Sequence, residues 1–193
     1  MRAAIILAAG RSRRFGAANK LLARYRGKPL LQWAIESALR APVGRVIVVV
    51  GPDRRVQSIV HRFPAHRVAS LTASRRNRAR HVSLLCGLRG LRGRERQSFV
   101  FLGDVPDLPA GIGVRLAMHA KRGHVAIRAG HHGTPGHPVL IADTALIRNR
   151  LASGEGPFAR NEVRLIEGGP GVAADIDRPG DRRAIPACGY GNG

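Results

Sequence analysis

An α/β fold, built as one domain around a largely parallel sheet, is predicted for this chain by three observations. Apolar runs alternate with stretches of helical periodicity along most of the sequence, the pattern of repeated strand and helix units. Residues 46–50 read Val-Ile-Val-Val-Val, an unbroken run of the kind that is buried on both faces of a sheet. The length, 193 residues, suffices for one well-buried core and is too short for two ordinary ones.

In chain order, a first strand is expected at residues 3–7. Pro29 suits the first turn of a helix over residues 29–40, where Leu30, Leu31, Ala34, Ile35 and Ala38 share one apolar face. The strand at 46–50 is followed by a helix at 54–62 and a short strand near 68–71. A basic stretch then leads to a helix around 82–91 and a strand at 99–102. The turn Gly103-Asp104-Val105-Pro106-Asp107 precedes a helix near 111–120. A strand at 125–129, a glycine-rich loop at 130–136, a strand at 138–141 and a helix at 144–152 come next. The end is less regular, with 163–166 and 172–176 as candidate strands. The domain is expected to span residues 1–185, with 186–193 as a frayed tail.

Composition bounds the function. No stretch approaches the roughly 18 apolar residues of a membrane span. Residues 3–9 are apolar but lack a charged region before them and run into an arginine cluster, which argues against a signal peptide and for a cytoplasmic protein. Cys86 and Cys188 form neither a disulfide framework nor a metal spacing. Net charge is +21, which invites a nucleic-acid reading. Against it, the arginines are scattered over every predicted element, and one Trp, two Tyr and five Phe offer little to stack on bases. An anionic small-molecule ligand accounts for the charge better. The densest basic segment, Arg75-Arg76-x-Arg78-x-Arg80-His81, is the best candidate for an anion-contacting surface.

The most informative segment is residues 5–22, an apolar strand running into a loop of small residues with three arginines and a lysine. Ala8, Ala9 and Gly10 let backbone N–H groups approach phosphate oxygens. Arg14 supplies a planar fork for phosphate, and Lys20 a compact point charge. A Walker A loop is excluded, because Gly27-Lys28 has Leu22 at the first glycine position and Pro29 where a hydroxyl is needed. A dinucleotide fingerprint is excluded too, since Gly10 is followed by Arg11 and Ser12. The element Leu7-Ala8-Ala9-Gly10-x-Ser12-x-Arg14-Phe15-Gly16-x-x-Asn19-Lys20-Leu21-Leu22 resembles the signature loop of the MobA-like nucleotidyltransferases. Its Asn-Lys-Leu-Leu is closest to the MocA branch, the molybdenum cofactor cytidylyltransferases, whose guanylyltransferase counterparts usually carry Asp-Lys.

Residues just after strand ends are where an open α/β sheet binds ligands. Asp104 is one of them; by itself it can either hold Mg²⁺ or cap the following turn. Leu102-Gly103-Asp104-Val105-Pro106 is similar to the family element whose aspartate is a metal ligand, with Val105 departing from the usual third residue. Ala174-Asp175-Ile176-Asp177-Arg178-Pro179-Gly180-Asp181 resembles a second family segment, which implies Asp175 as a further metal ligand and leaves Asp177 and Asp181 as capping residues. Gly136-His137-Pro138-Val139-Leu140 and Gly154-Glu155-Gly156-x-x-Ala159-Arg160 also echo the family. His131, His132 and His137 lack the spacing of a metal site and suit structural or substrate-contacting roles. Ser83-Leu84-Leu85-Cys86-Gly87-Leu88 matches as well, but Ala79-Arg80 replaces the usual Gly-Met of the loop that receives base and ribose.

The resemblance implies a Rossmann-like nucleotidyltransferase fold with helices on both faces of the sheet, and transfer of a nucleoside monophosphate to a phosphorylated acceptor such as molybdopterin, with release of pyrophosphate. It implies CTP over GTP, Mg²⁺ as cofactor, and a molybdoenzyme or its maturation chaperone as protein partner. Leu7, Ala8, Ala9, Gly10, Arg14, Lys20 and Ser83 would bind nucleotide, Arg14, Lys20 and Asp104 would act in catalysis, and Asp104 with Asp175 would hold the metal. A sugar phosphate as acceptor, or a non-catalytic protein that binds nucleotide or nucleic acid, are the alternatives.

Overall fold

The computed structural model describes residues 1–10, 15, 19–74, 79–120 and 123–176. Seven strands form the central sheet: β1 (Arg2–Ala8), β4 (Val46–Val50), β5 (Val68–Thr72), β6 (Gln97–Leu102), β7 (Ala126–His131), β8 (Thr134–Ile141) and β9 (Val163–Glu167). Their order is β5-β4-β1-β6-β8-β7-β9. Six run the same way, and β8 alone is reversed, pairing antiparallel with β6 and β7.

Why the sheet is covered on both faces is visible in β4. Its five residues are all buried; Val46, Val48 and Val50 point into one core layer, Ile47 and Val49 into the other. The first layer is closed by α1 (Leu30–Arg40), α2 (Arg54–Val60) and α4 (Ile112–Met118). The second is closed by α3 (Arg80–Arg89) and α5 (Thr144–Ala152), through Leu84, Leu88, Ile147 and Leu151. α3 lies close on the sheet because Gly87 has no side chain there: a Cβ would sit 2.5 Å from Ile5 Cγ2. Among the described residues no helix is long and apolar enough to cross a membrane.

The elements follow the expected order, with corrections. Pro29 stands at the N-cap of α1 rather than inside it. The glycine-rich loop expected at 130–136 is mostly strand: β7 and β8 form a hairpin joined by His132 and Gly133, both with positive φ (47° and 78°), the backbone a two-residue hairpin turn requires. Residues 172–176 are not a strand; a 3₁₀ turn, Pro170–Ala173, occupies their start. A small second hairpin, β2 (Arg24–Tyr25) with β3 (Lys28–Pro29), and a 3₁₀ turn at Lys20–Leu22 were not expected from the sequence.

Candidate functional site

At the carboxyl edge of β6 the chain makes one close passage. Gly103 N–H donates to the Leu7 carbonyl of β1 at 3.1 Å, and a Cβ on Gly103 would stand 3.0 Å from Leu21 Cδ2. The missing side chain lets the turn Lys20–Leu22 rest on the end of the sheet, with Leu21 buried. Lys20 is thereby brought to Asp104, and its Nζ forms an ion pair with the Asp104 carboxylate; the two side chains are 14% and 16% exposed, sheltered but reachable from solvent. Asn19 sets this turn. Its Oδ1 accepts from Leu21 N–H at 3.2 Å, and its Nδ2 donates to Asp53 Oδ2 at 3.3 Å. Asp53 in turn caps α2, accepting from Arg55 N–H at 3.0 Å.

Asp175 reaches the same place from the other end of the chain. Ile176 N–H donates to the Asp104 carbonyl at 3.1 Å, while the Ile176 side chain is fully buried with Tyr25 and Leu30. Two glycines permit the approach. A Cβ on Gly171 would be 1.8 Å from the Asp107 carbonyl oxygen, and one on Gly136 would be 2.1 Å from the Val172 carbonyl oxygen. Asp107 is itself held by the Tyr25 hydroxyl and, at 3.2 Å, by Arg26. Among the described residues no group of three or more His, Cys, Asp and Glu stands ready to ligate a metal. Mg²⁺ needs no such group, since it takes one or two protein carboxylates and completes its shell with phosphate oxygens and water.

Leu7 and Ala8 close β1 in register with Val49 and Val50, Ala9 is buried behind them, and Gly10 is exposed. A Cβ on Gly10 would meet nothing within 4 Å, so the protein's own packing does not require its small size. Ser83 is buried in the first turn of α3. Arg14 lies outside the described residues, as do Asp177, Asp181, the anion-surface candidates Arg75, Arg76 and Arg78, and the expected tail.

The histidines part company. His131 pairs with Glu167 at 2.8 Å, a contact that holds the Glu167 carboxyl down at about 2, and His132 packs on the His131 ring. His137 is buried on β8, its Nδ1 3.3 Å from the Val100 carbonyl; burial is the main cause of a pKa lowered to about 4, so the ring is neutral at neutral pH. Since a carbonyl only accepts, Nδ1 carries the proton. Arg128 on β7 donates Nε–H to the Gly136 carbonyl at 2.8 Å. Sequence reasoning passed over Arg128, because one more arginine in so basic a chain carries no signal of its own.

A sheet of this order, with a loop of small residues after β1, a lysine on an aspartate beyond β6 and a second aspartate brought back from late in the chain, defines a nucleotidyltransferase-type fold. A family model, MobA-like NTP transferase domain, matches residues 4–166, and the chain belongs to that family. A protein of Methanosarcina acetivorans named "Probable molybdenum cofactor guanylyltransferase" is 33% identical over 128 residues, 65% of this chain and 55% of that one. A bifunctional protein GlmU of Hyphomonas neptunium is 31% identical over 92% of this chain but only 40% of its own length. The chain thus spans about half, or less, of these curated relatives. Among solved structures, a 4-diphosphocytidyl-2C-methyl-D-erythritol synthase from Anaerococcus prevotii superposes with a TM-score of 0.76 over 95% of this chain and 93% of its own, at 15% identity. Rv0371c of Mycobacterium tuberculosis, solved as a manganese complex, does so with 0.72 over 94% and 96%, at 21% identity. At these identities the likeness shows the fold.

Proposed function

We propose that the protein is a Mg²⁺-dependent nucleotidyltransferase that moves a nucleoside monophosphate, CMP from CTP by preference, onto the phosphate of a small acceptor such as molybdopterin. The observation that carries this reading is the meeting of Lys20, Asp104 and the Asp175 segment at the carboxyl edge of β1 and β6. An oxygen of the acceptor phosphate forms a bond to the α-phosphorus; the bond to the bridging oxygen breaks, and pyrophosphate leaves with that electron pair. The dianionic nucleophile needs no base, so the work is positioning and charge neutralisation. Arg14 would hold the β- and γ-phosphates and Lys20 the α-phosphate, with Leu7, Ala8, Ala9, Gly10 and Ser83 around the nucleotide. Asp104 and Asp175 would hold Mg²⁺, which supplies Lewis-acid neutralisation of phosphate charge. Lys20, which pairs with Asp104 here, would turn to the phosphates when a divalent ion met that carboxylate.

The CTP preference rests on Asn19. It stands where the guanylyltransferase branch usually carries aspartate, and its amide donates to Asp53. The named guanylyltransferase relative keeps GTP as the second reading for the base. A sugar phosphate is the second reading for the acceptor, since a fold shared with nucleotidyltransferases does not by itself fix the acceptor.

Calorimetric titration with CTP, GTP, ATP and UTP, with and without Mg²⁺, tests the proposal on the wild type and on Asp104→Ala. Mg²⁺-dependent binding of one triphosphate that the variant weakens is the expected result. Binding of none would overturn it, and salt-sensitive capture of random-sequence RNA in its place would select a nucleic-acid role.

A further inference from the structure

We propose that Arg128, with Arg80 beside it, forms the pocket for the phosphate group of the acceptor, on the side of Asp104 away from the loop after β1. The inference rests on the nucleotidyltransferase reading above and adds to it which residues receive the second substrate.

Three features of the fold lead there. Arg128 is paired in register with Val139, which belongs to the core layer under α3 and α5, so its side chain stands on the α3 face of the sheet. An arginine in such a place gives up hydration, which burial alone does not repay. Its one hydrogen bond among the described residues uses Nε and draws the guanidinium toward Gly136, at the edge where Asp104 lies. The terminal nitrogens, the fork that grips phosphate or carboxylate, make no bond to any described residue, and no described carboxylate pairs with them.

The second feature is a like charge. Arg80, the exposed first residue of α3, acts electrostatically on both Arg128 and His137, and has no described carboxylate partner either. Two guanidinia near enough to repel one another, neither paired with a described carboxylate, favour an anion that bridges them. His137 lies between β6 and β7 on the same face and feels Asp104 as well as the two arginines, which places all four groups in one neighbourhood. Its ring is neutral and adds no charge, so the two guanidinia carry the pocket's positive charge, with Asp104, paired to Lys20, at its border.

The third is strand order. In β1-β6-β8-β7 the triphosphate loop follows β1, Asp104 follows β6, and Arg128 is two strands further, about 10 Å across the sheet. In-line displacement needs the incoming oxygen opposite the departing pyrophosphate. With the triphosphate on the β1 side of Asp104, an anion held from β7 is on the side from which the acceptor must attack.

Inorganic phosphate serves as the probe. It is titrated into the wild type, Arg128→Met, Arg128→Lys and Arg80→Met, with Mg²⁺ and with or without the α,β-methylene analogue of the triphosphate that binds. The expected result is that Arg128→Met weakens phosphate by about tenfold or more, the lysine variant recovers part of it, and analogue affinity changes by less than about twofold. Arg80→Met, at an exposed helix start, is expected to weaken phosphate in the same direction and serves if Arg128→Met does not fold. Phosphate held as tightly by both methionine variants as by the wild type overturns the pocket, as does a wild type that takes no phosphate. Analogue and phosphate affinity falling together overturns it too, by giving Arg128 to the triphosphate. Phosphate bound through Arg128 on a protein that takes no analogue upholds the anion pocket and overturns the nucleotidyltransferase reading, so the two failures are distinct.

Discussion

Lys20 and Asp104 form an ion pair largely sheltered from solvent, where desolvation offsets much of the attraction, so its value is in what each can do for a ligand. Lys20→Ala and Asp104→Asn are therefore expected to unfold at nearly the wild-type denaturant midpoint while losing about 100-fold or more in turnover, measured as pyrophosphate release. A variant with near-native turnover would remove its residue from the mechanism. His137 is a different case. Its folded pKa, about 4, is below the 6.5 of an exposed histidine, so the unfolded chain binds the extra proton first. Stability from this residue is complete above about pH 6.5 and is lost as pH falls toward 4, a total of roughly 3 kcal/mol. Urea denaturation at pH 7 and pH 4.5 checks this: His137→Gln is expected to flatten that part of the curve, and an unchanged slope would show that other groups set it.

Among the elements, those whose sequence and environment agree were the ones legible in advance. β4 is bounded as its valine run is, because a strand buried on both faces has one composition from end to end. α5 likewise begins after its capping Asp143 and ends where expected. Glycines misled at 130–136: two of the three lie in extended strands, where Gly130 makes room for Leu165 and Gly136 for the Val172 backbone, so they mark close packing and not a loop. The place of Asp104 beyond β6 was legible because strand ends are. That the Ile176 N–H, next to Asp175, donates to the Asp104 carbonyl was not, since nothing local joins residues so far apart. Gly171 is the hinge of that arrangement. Gly171→Ala, which forces a Cβ onto the Asp107 carbonyl, is expected to destabilise the fold by about 1–3 kcal/mol. Mg²⁺-dependent nucleotide binding should fall further than that loss explains; calorimetry at a temperature where the variant is fully folded separates the two effects.

Over the whole molecule the dominant fact is charge. With 33 Lys and Arg against 12 Asp and Glu, the folded state works against its own repulsion. Raising salt from about 20 mM to about 300 mM is accordingly expected to raise the melting temperature, by screening charges more than a Debye length apart. A melting temperature that falls would mean that specific ion pairs such as Arg45 with Glu95, joined at 2.7 Å, outweigh the general repulsion. The molecule also contains a built-in reporter. Asn19 grips the turn that carries Lys20 with one end of its amide and the cap of α2 with the other, so that turn and the helix are tied by one side chain. Any rearrangement of Lys20 on loading a triphosphate tugs on Asp53. Amide hydrogens in the opening turn of α2 should then exchange with solvent at a rate that tells whether the site is full.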